Sequence, residues 1–335
     1  MSVPAFSDIA KSANDLLNKD FYHLSAGTIE VKSNTPNNVA FKVTGKSSHE
    51  KATSGALEGK YTDKELGTKK KRPKPQKQKP PLQFSVSRIG GPRSGLPMEF
   101  SAAFTSGFAQ LLMFYKRTGL TLTQTWNTAN ALESKLELAD SLAKGLKAEG
   151  IFSFLPATQA KGAKFNLHFK QSNFHGRAFF DLLKGPTANV DAVVAHEGFV
   201  AGGSAGYDVQ KAAISSYSAA VGYSAPVYSA AITATDNLSV FAASYYHKVN
   251  SQVEAGAKAT WNSKSGNAVG LEVASKYRLD PMSFVKGKIN DRGVAAVAYN
   301  VLLRPGATLG IGASFDTQKL DQATHKVGVS FTFEG

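Results

Sequence analysis

The chain has 335 residues, 42% of them hydrophobic, a formal net charge of +14 and a slightly negative mean hydropathy. That length suits two ordinary domains or one large barrel, and the lack of cysteine excludes disulfides and thiolate metal sites. No uncharged apolar run reaches the roughly 20 residues of a spanning helix; the nearest, Phe100–Tyr115, is shorter and contains Ser, Thr, Gly and Gln.

The first residues lack the basic-then-apolar order of a secretory signal. Ser7, after Pro4, suits a helix N-cap, and Asp8 sits where the helix dipole favours an acid. Phe6, Ile9, Ala10, Ala13, Leu16 and Leu17 recur at helical spacing, with Lys11, Asn14, Asp15, Asn18 and Lys19 largely opposite. An amphipathic helix over residues 1–20 follows. It either covers the end of a soluble core or lies against the inner wall of a pore, with Lys11 and Lys19 towards water.

From Leu24 the period changes to two. Thr28, Glu30 and Lys32 alternate with Ile29 and Val31; after the turn Pro36-Asn37-Asn38, Phe41 and Val43 alternate with Lys42 and Thr44. Residues 24–64 hold three such strands. Residues 65–116 break the pattern. This stretch carries ten basic residues against Glu65 and Glu99, and within it Thr68–Pro81 is polybasic and Pro-rich, a composition expected to be disordered. Met98–Tyr115 could form a weak helix. Three readings stand side by side: a nuclear-localisation or nucleic-acid patch, a rim loop binding anionic lipid or cytosolic partners, and translated intron sequence or a wrong gene model.

Alternation resumes at Thr118 and continues through residues 117–335 as strands 4–19. Phe165, Leu167 and Phe169 oppose Lys164, Asn166, His168 and Lys170; Val253, Ala255 and Ala257 oppose Glu254, Gly256 and Lys258. Turns fall at Gly185-Pro186, Asp236-Asn237, Ser265-Gly266-Asn267 and Pro305-Gly306. Gly202–Gly206 lacks the Lys-Ser/Thr of a phosphate loop and reads as a hairpin turn. The last strand places Val327, Val329, Phe331 and Phe333 on one face and Lys326, Gly328, Ser330 and Thr332 on the other. Nineteen short strands without helical crossovers predict an all-β transmembrane barrel, oily side to lipid and polar side to water.

The run Tyr277-Arg278-Leu279-Asp280-Pro281-Met282-Ser283, continuing through Gly287-Lys288-Ile289-Asn290-Asp291 to Ala296-Val297-Ala298-Tyr299, resembles the signature of the fungal mitochondrial porins, the voltage-dependent anion channels of the outer membrane. Gly119–Asn130 is a second stretch typical of that family. The resemblance covers residues 1–64 and 117–335. It implies nineteen strands with the first and last parallel, so that Ala26–Ser33 lies beside His325–Phe333, and an N-terminal helix inside the pore. It also implies a multi-pass protein in the mitochondrial outer membrane, in contact with membrane lipid. Lys326, Gly328, Phe331 and Phe333 resemble the sorting signal of mitochondrial barrels.

A barrel this wide encloses water. On the assigned phase its lumen carries Lys42, Lys60, Lys164, Lys170, Arg177, Lys258, Lys276 and Lys326 against Glu30, Glu58, Asp181, Glu254, Glu272 and Asp316. Screening over about 8–10 Å makes this a weak anion preference, suited to ATP, ADP, phosphate and other anionic metabolites. By resemblance, the pore is voltage-gated. Lys11 and Lys19 correspond to helix lysines that meet nucleotide phosphate, and NADH-type contacts map onto Val294, Ala295 and Ala296 and onto Gly312, Ala313, Ser314, Phe315 and Asp316. Where animal members have a Gly-rich hinge, this chain has Asp20-Phe21-Tyr22-His23. The same reading leaves room for a homo-oligomer and expects no nucleic-acid partner and no cofactor. No nucleophile–base or metal-spaced constellation stands out, so the chain reads as a non-enzyme. The rivals are a mitochondrial protein-import barrel and a nucleic-acid-binding protein acting through the basic insertion.

Overall fold

A computed structural model of the chain describes residues 3–62 and 120–335, apart from positions 51, 141–142, 184, 186, 267–268 and 323. The insertion at 65–116, with its weak-helix segment Met98–Tyr115, lies outside the described residues. Those described form a closed wall of nineteen strands in which each pairs with its neighbour in sequence. Every such pair is antiparallel. Closure comes from β1 (Gly27–Asn34) lying parallel to β19 (Lys326–Glu334), with Gly27 opposite Val329 and Val31 opposite Phe333. An odd strand number requires one such parallel seam.

The alternation read in the sequence becomes the two faces of the wall. Val327 is 60% exposed and Phe331 and Phe333 about 40%, and no second sheet among the described residues covers them. Ile29, Val43, Phe165 and Ile289 are likewise on the outside. Glu30 points inward, where it accepts ion pairs from Lys42 at 2.9 Å and Lys32 at 3.0 Å. Apolar outside and charged inside is the inverse of a soluble barrel, and it fits a hydrocarbon surround.

Two local expectations are corrected. Gly202–Gly206 is not a turn; it lies inside β10 (Phe199–Asp208). A Cβ on Gly202 would come within 2.8 Å of Val193 Cγ2 and 3.2 Å of Phe6 Cδ2, so the missing side chain makes room for the N-terminal segment. That segment is also not one helix over 1–20. It is a 3-10 turn at Phe6–Asp8, an eight-residue helix α1 at Lys11–Asn18, and a second 3-10 turn at Tyr22–Leu24. The helix is capped by Ala10, not Ser7; the Ser7 hydroxyl instead accepts from Arg177 Nη2 at 3.3 Å.

Candidate functional site: the N-terminal segment on the pore wall

Most of the buried apolar side chains lie where residues 3–23 meet the inner wall, in three seats. In the front seat Val3, Phe6 and Ile9 pack on Val193 of β9 (Thr187–His196) and Val200 of β10. Beside it Arg177, on β8 (Phe174–Asp181), holds Asp191 with two short bonds, Nε to Oδ1 at 2.9 Å and Nη2 to Oδ2 at 2.8 Å. A fork-on-carboxylate pair of this kind has directional strength that a lysine pair lacks.

The middle seat is the helix. Ala13, Leu16 and Leu17 are its buried residues, Leu17 with no exposure at all. Leu16 and Leu17 cluster with Ala274 of β15 (Val269–Asp280) and Tyr246 of β13 (Val240–Lys248). Gly256, on β14 (Val253–Asn262), leaves the space that Leu16 fills; a Cβ there would meet Leu16 Cδ2 at 2.9 Å. Lys258 Nζ donates to Asn14 Oδ1 at 3.2 Å. Lys11, 3.9 Å from Asp8, and Lys19 are on the exposed side of the helix.

The rear seat is more polar. Asp20 adopts a left-handed backbone (φ 60°) and turns the chain so that Phe21 packs on Ala296 and Ala298 of β17 (Val294–Arg304). Tyr22 and His23 then cross β18 (Ala307–Asp316) and β19 above Gly310, Gly312 and Gly328. A Cβ on Gly328 would fall 2.1 Å from the Tyr22 and Ser25 carbonyl oxygens, so only glycine permits the approach. Asn300 Nδ2 donates to the Tyr22 hydroxyl, and His49 Nε2 bonds the His23 carbonyl at 2.8 Å. Burial raises the Tyr22 phenol above its usual range, against the lowering effect of the Asn300 bond. His23 is buried with its ring edge-on to Phe21 and its Nδ1 without a hydrogen-bond partner among the described residues. Burial first, then Lys288, Lys326 and His49, hold its pKa below the ordinary 6.5. Asp20-Phe21-Tyr22-His23, the stretch occupying the hinge position, is therefore pinned to the wall.

The other sequence-derived residues fall into place by register. Lys60, Lys164, Lys170, Lys276 and Lys326 project to the lumen with Lys42, Arg177 and Lys258. Much of the wall charge is paired: Lys135 and Lys147 bracket Glu137 and Glu149, with Lys147 Nζ 2.7 Å from Glu149. Neither those four residues nor Asp191 entered the sequence reading. Of the two runs tied to nucleotide contact, Val294, Ala296, Gly312, Ser314 and Asp316 share the lumen face. Ala295, Ala313 and Phe315 share the outward face with Ile289 and Val327, because strand residues alternate. Ala296 and Gly312 lie beneath Phe21 and the Tyr22–His23 backbone.

The signature residues mostly shape hairpins on either side of β16 (Ser283–Asn290). Asp280, after which Pro281 turns the chain, accepts from Met282 N at 2.7 Å and from the Ser283 hydroxyl. Asn290 accepts from Arg292 N and Val294 N, and Asp291 N donates to Leu271 O at 2.9 Å. Tyr277, Gly287 and Ile289 face outward and Lys288 inward. In the sorting-signal pattern, Lys326 and Gly328 face the lumen while Phe331 and Phe333 stack outside, ring centres 6.4 Å apart.

Sequence reasoning also missed Lys286, a wall residue that bonds the N-terminal segment. It was visible as the even member of Phe284, Lys286, Lys288 and Asn290, opposite Val285, Gly287 and Ile289. It is 2% exposed and donates to the carbonyls of Asp15 at 3.2 Å and Lys19 at 2.7 Å.

Comparison with known proteins agrees with this architecture. The family model described as eukaryotic porin matches residues 2–72 and 83–328. The "Mitochondrial outer membrane protein porin" of Neurospora crassa is 74% identical over 334 residues, covering all of both chains. The protein of the same name in Candida albicans is 43% identical over 99% of each chain. "Non-selective voltage-gated ion channel 1" of Saccharomyces cerevisiae is 37% identical across the whole of both.

Proposed function

Because the chain belongs to the eukaryotic porin family, we infer that it is the voltage-gated diffusion channel of the mitochondrial outer membrane. The observation that carries this reading is the closed nineteen-strand wall, apolar outside and charged within, with an amphipathic segment seated on its inner face. Such a wall needs no reacting group; its work is to let solutes through, which supports a channel over an enzyme.

The traffic we propose is small anionic metabolites, among them ATP, ADP, phosphate and NADH. Ion pairs such as Lys42 with Glu30, Lys147 with Glu149 and Arg177 with Asp191 offset part of the lumen charge, and salt screens the rest within about 8–10 Å, so discrimination by charge is weak. That agrees with the word "non-selective" in the name of the yeast relative. Lys11 and Lys19 on the free side of the helix, together with Lys164, Lys170, Lys276 and Lys326 on the wall, are the first candidates for phosphate contact. Of the five members of the two nucleotide runs that face the lumen, Val294, Ser314 and Asp316 are those not lying beneath Phe21 and the Tyr22–His23 backbone. Gating follows from charge moving in the membrane field, about 2.3 kcal/mol per charge per 100 mV. For residues 65–116 we propose translated intron sequence, since strand alternation ends before it and resumes after it. Mature message that joins the codons of Lys64 and Arg117 supports this; message carrying the intervening codons refutes it.

Planar-bilayer recording of the purified, refolded chain tests the main reading. The expected result is large, weakly anion-preferring steps that fall to lower conductance at high voltage of either sign. Folded protein that inserts and conducts nothing would overturn it.

A further inference from the structure

We propose that Lys286 is a clasp: its ammonium binds the C-terminal carbonyls of α1 and so holds the N-terminal segment in the position of the open channel. The proposal rests on the channel reading above and deepens it.

The last turn of a helix leaves carbonyls without intrahelical donors, and the summed peptide dipole makes that end negative. Here the end is not solvated. Lys286 Nζ reaches the C-cap Lys19 oxygen at 2.7 Å, adds a second donor at 3.2 Å to the Asp15 oxygen that Lys19 N already bonds, and lies 4.0 Å from Asp20 Oδ2. Its remaining side is closed by Phe21, whose ring centre lies 5.1 Å from Lys286 Nζ and 5.0 Å from Lys288 Nζ. A cation against an aromatic face is attracted by the ring quadrupole. One ammonium therefore joins the helix end, the bend at Asp20 and the rear-seat aromatic. The groups it joins come from the segment, whereas the lysine belongs to the wall.

The same geometry makes the clasp reversible. With the segment seated, Lys286 is nearly excluded from water. Once the segment lifts, both the lysine and the carbonyls face an aqueous lumen and regain water partners. The net strength is thus that of charge-assisted hydrogen bonds measured against water, not that of stranding a buried ion. A holding force of that size is comparable with the work the membrane field does on a few charges, which is the requirement for a voltage-dependent release. Lys276 makes a useful contrast. It is the register partner of Lys286 on β15, faces the same lumen and stacks over Phe284 at 4.2 Å, with no bond to the segment among the described residues.

The test uses the full chain, whose lack of cysteine permits a clean disulfide probe. A Leu16→Cys/Gly256→Cys pair reports the seated helix, because the Gly256 Cβ position touches Leu16. In that background Lys286→Met keeps the aliphatic stem and removes the charge; Lys286→Arg keeps the donors; Lys276→Met controls for loss of a lumen cation. Refolding is checked by the strand circular-dichroism signal. The expected result is that Lys286→Met lowers the seated-to-unseated ratio about tenfold, read as the initial rate of disulfide formation, the size set by losing charge-assisted bonds. It also moves the voltage of half-closure towards zero, while Lys286→Arg retains most of both and Lys276→Met alters ion selectivity alone. Oxidising the cysteine pair in the Lys286→Met chain restores the original half-closure voltage. A folded Lys286→Met channel with unchanged disulfide rate and half-closure voltage overturns the clasp, as does an effect equal to that of Lys276→Met. An unsubstituted chain that conducts without voltage dependence would instead overturn the channel reading beneath it.

Discussion

The front and rear seats of the N-terminal segment do the same job by different physics. At the front, Val3, Phe6 and Ile9 meet Val193 and Val200, and the nearby Arg177 is already matched to Asp191. At the rear, Phe21, Tyr22 and His23 sit among Lys286, Lys288, Lys326 and His49, with Asp20 the nearby carboxylate. Apolar contact is nearly indifferent to proton and salt concentration, whereas a cationic seat responds to both. The segment is thus fixed at one end and conditionally held at the other, so release should begin at Phe21–His23.

The sharpest way to break the comparison is Gly328→Val. A side chain there meets backbone oxygens that have nowhere to move, so the rear seat should be lost at a cost of about 3 kcal/mol or more while the front seat stays. Limited proteolysis, cutting near Tyr22 but not near Phe6, would show it. Next is Leu17→Ala in the middle seat, expected to weaken seating by about 2–3 kcal/mol through the lost methyl groups and the cavity; thermal unfolding in detergent measures it. Arg177→Met should follow at about 1–3 kcal/mol, since Asp191 keeps its charge without its partner. Its effect should be confined to the front seat, seen as faster hydrogen exchange of residues 3–9.

The smallest expected effect separates the two ends by pH. Seating holds the His23 pKa below 6.5, so the seated form binds fewer protons than the released form. Seating at the rear is therefore intact above about pH 6.5, weakens as pH falls below that value, and stops weakening once pH passes below the lowered value. Half-closure voltage should drift towards zero over that window, and His23→Gln should flatten the drift. A drift that survives His23→Gln would assign it to another group.

The wall was legible in the sequence because a two-residue period states both faces at once. Ile29 and Val31 against Glu30 and Lys32, or Val327 and Phe331 against Lys326 and Ser330, needed no tertiary knowledge. The parallel seam came from the family resemblance and stands in the register of Gly27 with Val329. The segment inside was harder. Helical spacing over residues 6–17 ignored the break at Ile9–Ala10, where Phe6 and Ile9 turn to the front seat and leave α1 to begin at Lys11. Ser7 looked like a cap because its chemistry fits one, but Arg177, 170 residues away in sequence, uses it instead. Lys286 escaped because a lysine facing a pore looks like any other until the helix end above it is known. The nucleotide runs were taken over as contiguous residues, and a strand cannot present contiguous residues to one side; Ala295, Ala313 and Phe315 show it.

The parallel seam also orders events in time. β1 pairs on one edge with its neighbour in sequence, β2 (Val39–Ser47), but its other edge stays open until β19, the partner it must accept, is in place. Gly328, the floor under Tyr22 and Ser25, arrives with that same strand. Circle and rear seat are therefore completed by one event, and a chain that lacks β19 has neither. Quality control that senses an unsealed edge would be reading, in the same signal, whether the N-terminal segment has a place to rest.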